Sequence, residues 1–278
     1  GGGAVRGLHV NCGLREQADA DERRCGELCR ALGVELEVRA ASRDSSASGN
    51  LQAWARDVRY AEGRRLADAL GARLASGHTA SDQVETIVYR LAASPGRRAL
   101  LGMAPEEGIL VRPLLGVTRE QTAAYCRERS LAWAEDETNA DDRFARARVR
   151  HALVPALRAV HPAAEANVLR TSVLLREETA LLDELVAAEL SGGERVSVER
   201  LATMPPALAR LVVVRLAEAA TGAYVPQAGD RVEELLALAR RGGHAELHVG
   251  GGAGAIIDDG SLRMVALPPR AASAQDEG

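Results

Sequence analysis

Residues 72–91 constrain the fold more than any other stretch: a short apolar strand at 72–75 passes through a polar turn into a helix. Val84, Ile87, Val88 and Leu91 recur at i, i+3, i+4 and i+7, so one stripe of that helix faces a core. Its first turn carries His78, Asp82, Gln83 and Glu85, more functional groups than a strand-to-helix turn needs. In an open α/β sheet such a turn lies at the carboxyl edge of a strand, where ligands bind and helix N-termini face anions. A plainer role for Thr79 and Asp82 is a capping box that satisfies the orphan N–H groups of the helix start. The turn alone leaves both roles open.

The same alternation runs through the first half of the chain. Residues 4–10 read as a buried strand leading into Asn11, and a helix over about 19–32 carries Gly33 as its C-terminal cap. A strand at 34–38 and a Ser/Asp/Gly-rich loop at 39–50 follow. A helix over 51–70 then shows a stripe of Leu51, Trp54, Val58, Ala61 and Leu66. After the central strand, turn and helix comes another strand at 109–111, closed by Arg112 and Pro113. Thr118 with Gln121 forms a second capping box, for a helix ending near Arg129. Strands alternating with helices at this spacing imply βαβ units and a mainly parallel sheet.

From Pro162 the pattern changes. One long helix runs to about Leu190, the break at 191–193 ends it, and helices over about 199–220 and 227–241 follow. Strands at 245–249, 255–257 and 262–267 make a three-stranded antiparallel ribbon, with glycines 250–252 in a hairpin turn. The expected organisation is an α/β domain over 1–155, a smaller helical domain with the ribbon over 156–268, and a disordered tail over 269–278.

Composition excludes several classes. Hydrophobic content of 46% with 27% charge suits a globular protein, and no apolar run approaches the roughly 18 residues that cross a bilayer. No signal-peptide pattern opens the chain, so a cytoplasmic location and no membrane partner are expected. The four cysteines show no paired metal-binding spacing, and no metal site is expected. Cys25 and Cys29 share a helical stripe with Leu28 and Leu32, which suits buried thiols. All 35 Lys+Arg residues are arginine, as a GC-rich coding bias would produce. The net charge of −4 argues against wholesale nucleic-acid binding, yet Arg143, Arg146, Arg148, Arg150 and His151 crowd nine positions. Arg143, Arg146 and Arg150 share a helical face with no interleaved acids, which favours a phosphate-facing patch over a solvated one.

Five stretches together resemble the tRNA(Ile)-lysidine synthetases of the PP-loop ATPase superfamily. They are His9–Arg15, the segment from Gly49-Asn50-Leu51 to Tyr60, Gly77–Thr86, Arg112–Leu115, and Asp136–Asn139 followed by Arg143–His151. Their order and spacing match that family across residues 5–160, and the later segment resembles its substrate-binding domain more loosely. The resemblance implies a Rossmann-like parallel sheet of PP-loop ATPase type, first strand missing, with a smaller helical C-terminal domain ending in an antiparallel ribbon. It implies a carbon–nitrogen ligase: ATP adenylates the C2 oxygen of the wobble cytidine of a CAU-anticodon tRNA(Ile), and free L-lysine displaces AMP to form lysidine. ATP and Mg²⁺ are the implied cofactors. Asp82 and Arg112 take catalytic roles, and Asn11, His78 and Gln83 contact the nucleotide. Arg56, Arg59, Arg143, Arg146, Arg148 and Arg150 hold tRNA. A homodimer is left open.

The chain departs from that family where the first strand should lead into a Ser-Gly-Gly-x-Asp-Ser loop around the pyrophosphate, for no such loop is present. Gly1–Gly3 does not serve, having no strand before it and no helix after it. In a doubly wound sheet of order 3-2-1-4-5 the missing strand is central, so both neighbours should lose ladder partners. About one βα unit, roughly 30–40 residues, would be absent. The chain as given is therefore expected to be inactive, though its parent would be a ligase. Cys12 stands where the family usually has histidine, and Ser81 where it often has an acid. Three rivals remain. A 2-thiocytidine enzyme would need CxxC pairs that are absent; a non-catalytic tRNA-binding remnant fits the missing loop; a purely structural protein leaves the arginines unexplained.

Overall fold

The computed structural model describes residues 3–14, 17–43, 51–94, 96–133 and 145–268. The chain divides into two compact units, 1–172 and 173–278. That division falls inside a long helix, downstream of the boundary at 155 drawn from sequence.

In the first unit β1 (Arg6–Asn11) runs parallel to β2 (Glu35–Ala40), joined by α1 (Ala18–Ala31). Gly33 closes α1 as expected: its φ of 66° lets the N–H groups of Gly33 and Val34 turn back to the carbonyls of Arg30 and Cys29. Next come α2 (Leu51–Leu70), β3 (Leu74–Ala75), α3 (Ala80–Ala93), the short α4 (Arg97–Leu100), β4 (Glu106–Glu107), β5 (Leu110–Val111) and α5 (Arg119–Glu128). β5 pairs parallel with β3 and antiparallel with β4, giving the order β3-β5-β4. The parallel architecture is thus present, but in two pieces, and α2 touches both β1 and β3.

Two apolar stripes differ from the sequence pattern. On α2 the buried residues are Ala55, Gly63 and Ala67, while Leu51 is exposed. Small residues bring this helix close to β3, where a Cβ on Gly63 would stand 2.9 Å from the Leu74 side chain. On α1 Leu28 and Leu32 are exposed and both cysteines only half-buried, because the helix covers a sheet of two short strands.

The helical run resumes at α6 (Ala145–Arg148), passes through a π-helical turn at Val149–Leu153 and continues as α7 (Val154–Val160). Val149 and Val154 are buried against Val84 of α3, with Val88, Val168 and Leu169 around them. Helix α8 spans Ala164–Leu190.

The second unit contains β6 (Arg195–Ser197), α9 (Val198–Thr203), α10 (Pro206–Thr221), a 3-10 turn at Pro226–Arg231, α11 (Val232–Arg240) and three strands. These are β7 (Ala245–Gly250), β8 (Ala253–Asp258) and β9 (Ser261–Ala266). The sheet order is β6-β9-β8-β7, all antiparallel, so the expected ribbon gains a fourth strand. Too short to show alternation, β6 is invisible in the sequence pattern. The single helix expected over 199–220 is two, because Pro205 and Pro206 hold Met204 extended (ψ 151°) and supply no N–H to continue α9. Gly250–Gly252 form the hairpin turn with positive φ, and a Cβ on Gly250 would sit 2.7 Å from Gln227.

Helices and sheet of this unit enclose one core, in which Leu201, Val212, Val213, Val225, Leu235 and Leu262 are fully buried. Leu235→Ala is expected to lower unfolding free energy by about 2–5 kcal/mol. Leu181, 59% exposed, should tolerate the same change within about 0.5 kcal/mol. Urea denaturation of the two variants checks both values.

Candidate active site at the start of helix α3

Thr79 has extended backbone and caps α3: its hydroxyl accepts from the Asp82 N–H at 3.3 Å. The Asp82 carboxylate returns the bond, with Oδ2 accepting the Thr79 N–H at 2.8 Å and its hydroxyl at 2.7 Å. Asp82 does more than cap. Its Oδ1 accepts from Arg119 at 3.0 Å and lies 3.7 Å from Arg150. The capping role is thus formed, and the same side chain also ties down two arginines.

One turn further, Glu85 is buried. Its Oε1 accepts from Arg119 at 3.0 Å and from the Arg150 Nε at 2.8 Å, while its Oε2 accepts from Arg150 NH2 at 3.0 Å. Arg150 thus grips Glu85 with two parallel bonds, the strong geometry for a guanidinium and a carboxylate. Arg119 opens α5, its own N–H donating to Ser81 Oγ at 3.1 Å, and Arg146 donates to Thr86 at 2.9 Å. Three elements far apart in sequence meet on the first two turns of α3.

Burial alone would raise the Asp82 pKa, but the Thr79 hydrogen bonds and the neighbouring Arg119 and Arg150 outweigh it and hold the carboxyl below its usual range. His78 goes down for other reasons: burial first, then Arg56, Arg112 and Arg146, with Asp82 pulling the opposite way. Its Nδ1 is 2.8 Å from Ser76 Oγ. His78 is neutral at pH 7, in a local field of three arginines and one acid.

The structure brings some of the expected site residues together and separates others. Asp82, Arg146 and Arg150 converge, and His78 lies near them. Arg150 is not the free phosphate-binding cation expected of it, because Glu85, 65 residues away in sequence, grips it. Arg148 is exposed, and Arg143, like Asp136–Asn139, lies outside the described residues. Gln83 is a structural clamp rather than an open ligand group: it is buried, donates to the Met103 carbonyl at 3.0 Å and accepts from the Met103 N–H at 2.7 Å. Arg112 is likewise buried, donating to the Ala104 carbonyl at 2.6 Å and to Glu107 at 3.0 Å, with its Nε left unpartnered. Asn11 ends β1, where it donates to Asp19 and Glu22 and accepts from the Gly13 N–H.

A cavity of about 760 Å³ lies between β1, β3 and α2. Its rim carries His78, Arg56 and Arg59, but Asn11, Asp82 and Arg148 do not line it. Arg56 and Arg59 belong to this rim, with Arg56 stacked 4.8 Å from the Tyr60 ring centre and Arg59 donating to the Ala55 carbonyl. Among the described residues no group of three or more His, Cys, Asp or Glu side chains could hold a metal ion, and no helix is long and apolar enough to cross a membrane.

Two members of the network were absent from the sequence-derived site. Glu85 had a signal, standing three residues after Asp82 on the same helical face. For Arg119 the sequence offered only its place one residue inside a capping box.

A family model of the PP-loop domain matches residues 3–157, so the chain belongs to the PP-loop family. Within that class it is similar to the tRNA(Ile)-lysidine synthase of Pseudomonas fluorescens (strain Pf0-1), 39% identical over 192 residues, 68% of this chain and 43% of that protein. It is 35% identical over 258 residues to the tRNA(Ile)-lysidine synthase of Azoarcus sp. (strain BH72), covering 90% of this chain and 56% of that protein. The chain spans about half the length of the curated relatives it matches. Among solved structures it resembles the U34-tRNA thiolase NcsA from Methanococcus maripaludis with its [4Fe-4S] cluster. The TM-score is 0.53 at 14% identity over 62% of each chain, a likeness of fold.

Removing one partner of a buried ion pair leaves the other charge uncompensated. Glu85→Gln is expected to destabilise the first unit by about 2–4 kcal/mol, since both arginines retain some water; thermal unfolding reads this. A separate signature is set by His78. Because the folded state lowers its pKa, its stabilising contribution is complete above about pH 6.5 and is lost as pH falls through the depressed value. His78→Gln should flatten the dependence of Tm on pH just below 6.5 and leave the region above it unchanged.

Proposed function

We propose that this chain carries the catalytic face of a tRNA(Ile)-lysidine synthetase, a ligase joining L-lysine to C2 of the wobble cytidine through an adenylated intermediate. One observation carries the reading: a PP-loop chain similar to lysidine synthases gathers Asp82, Glu85, Arg119 and Arg150 at the carboxyl edge of β3. Asp82 is kept ionised, and an ammonium such as that of lysine would have to displace Arg119 from its Oδ1. Glu85 positions Arg119 and Arg150, and Arg119, the more exposed of the two, would meet the charge that develops when pyrophosphate or AMP leaves.

The residues present fit ATP. Of the arginines near His78, Arg112 is held by Glu107 and the Ala104 carbonyl, which leaves Arg56 and Arg146 to meet a polyphosphate. Bound there, ATP would supply the adenylate that activates the cytosine oxygen. The donor set does not fit Mg²⁺ on its own: both Asp82 oxygens already accept hydrogen bonds, and no metal-binding group stands among the described residues. A magnesium ion would arrive on the phosphates, and no step here depends on it. Arg146 and Arg148 are proposed for tRNA phosphates. A cytoplasmic setting follows from that substrate, and a homodimer is not required by anything in the site.

The sheet in two pieces supports the view that these 278 residues alone are inactive. With ATP, lysine and CAU-anticodon tRNA(Ile), they are expected to release no AMP; turnover would overturn that view. Binding of tRNA(Ile) should weaken steeply with salt, and Arg148→Gln should lower the salt slope by about one. Salt-independent binding would favour a structural protein instead. In a chimera carrying residues 3–157 in place of the matching stretch of the Azoarcus relative, Asp82→Asn is expected to abolish lysidine formation without unfolding the protein.

A further inference from the structure

The four-stranded sheet of the second unit has one face in the core, where Val196, Ala255, Ile257, Leu262 and Met264 pack beneath α10 and α11. Side chains alternate across a strand, so Arg195 of β6 and Arg263 of β9 project from the opposite face. The register sets these two arginines directly opposite one another, with Cβ atoms about 5 Å apart. Like charges in that position repel and weaken the sheet, a cost that an acid alongside would normally cancel. Among the described residues no acid takes that place. Neither arginine forms an ion pair, Ile256 is the partner of Arg263 on β8, and Asp258 stands only diagonally to it. One row toward the β8–β9 hairpin, Ser197 and Ser261 also stand opposite each other. The Ser197 hydroxyl accepts the Arg200 N–H at 3.0 Å to cap α9, which leaves its own proton to donate outward.

We infer that this face is a backbone clamp for RNA, in which Arg195 and Arg263 each take a phosphate of one strand and the two serine hydroxyls donate beside them. Phosphates between the guanidinium forks remove the repulsion that the free protein carries, so part of the binding energy is relief of that pairing. Arginine forks with hydroxyl donors are a common phosphate-contacting set and read no base. The choice of RNA over an acidic peptide rests on the tRNA reading above, while the clamp itself lies in the other unit from the Asp82–Glu85 network.

Removing either arginine should move stability and binding in opposite directions. Calorimetry of the free 278-residue chain should show Arg263→Gln raising the Tm of the second unit by about 2 °C, whereas Arg263→Lys, which keeps the charge, should leave it unchanged. Filter binding is then measured between about 50 and 200 mM salt with CAU-anticodon tRNA(Ile) and with an unrelated tRNA. Arg195→Gln and Arg263→Gln should each lower the slope of log affinity against log salt by about one, equally on both RNAs, and the double variant by about two. The clamp is overturned if the chain binds neither RNA, if both slopes stay unchanged, or if Arg263→Gln does not raise the Tm. Polyglutamate that displaces tRNA at equal charge concentration would also overturn it and assign the face to an acidic protein. Lysidine formation by the chimera with unchanged slopes would sink the clamp alone; lowered slopes without lysidine would sink the ligase reading alone.

Discussion

A buried carboxylate cannot be left without cations, and Glu85 is the point at which that rule organises the first unit. Its oxygens demand Arg119 from the start of α5 and Arg150 from the π-helical turn, so segments 34 and 65 residues away in sequence are drawn to the same two turns of α3. Val149 and Val154 then pack against Val84, adding an apolar contact to the ionic one. Nearby, Gln83 and Arg112 bind the backbone of Met103 and Ala104, which fixes the loop before β4 against the same helix. The polar first turn noticed in the sequence is thus a joint between three segments.

What could be read from the sequence was what is decided locally. Both capping boxes and the Gly33 cap depend on residues within a few positions of one another, and all three formed. The parallel first unit and the antiparallel end of the chain followed from the spacing of their elements. What escaped was decided by tertiary neighbours. The buried face of α2 is set by how closely Gly63 can approach Leu74, which outweighs the larger side chains on its other stripe. The three-residue β6 is a strand only because β9 lies beside it.

The candidate site divides in the same way. That the turn at 76–86 would concentrate functional groups was evident, since His78, Asp82 and Glu85 stand there in plain order. That Arg150 would be neutralised was not, because the acids it meets lie on another helix. Asn11 is spent on α1, and Gln83 on a loop, for the same reason: a side chain's first satisfied partner is invisible until the chain has folded. Family membership and site geometry are consequently separate statements. The first rests on ordered motifs over residues 3–157, the second on which groups finally touch.

The π-helical turn at Val149–Leu153 gives the arginine-bearing rod an unusual tolerance. Such a turn holds one residue beyond what an α-helix would use. Loss of a single codon there would leave a plain α-helix with both flanks still in phase. The same loss in a regular stretch of helix turns one side by about 100° relative to the other, the angular step of one α-helical residue. Arg146 ahead of the turn and Val154 behind it would keep the faces they now present, so this is the one place in the rod where the chain could shorten without a dislocation.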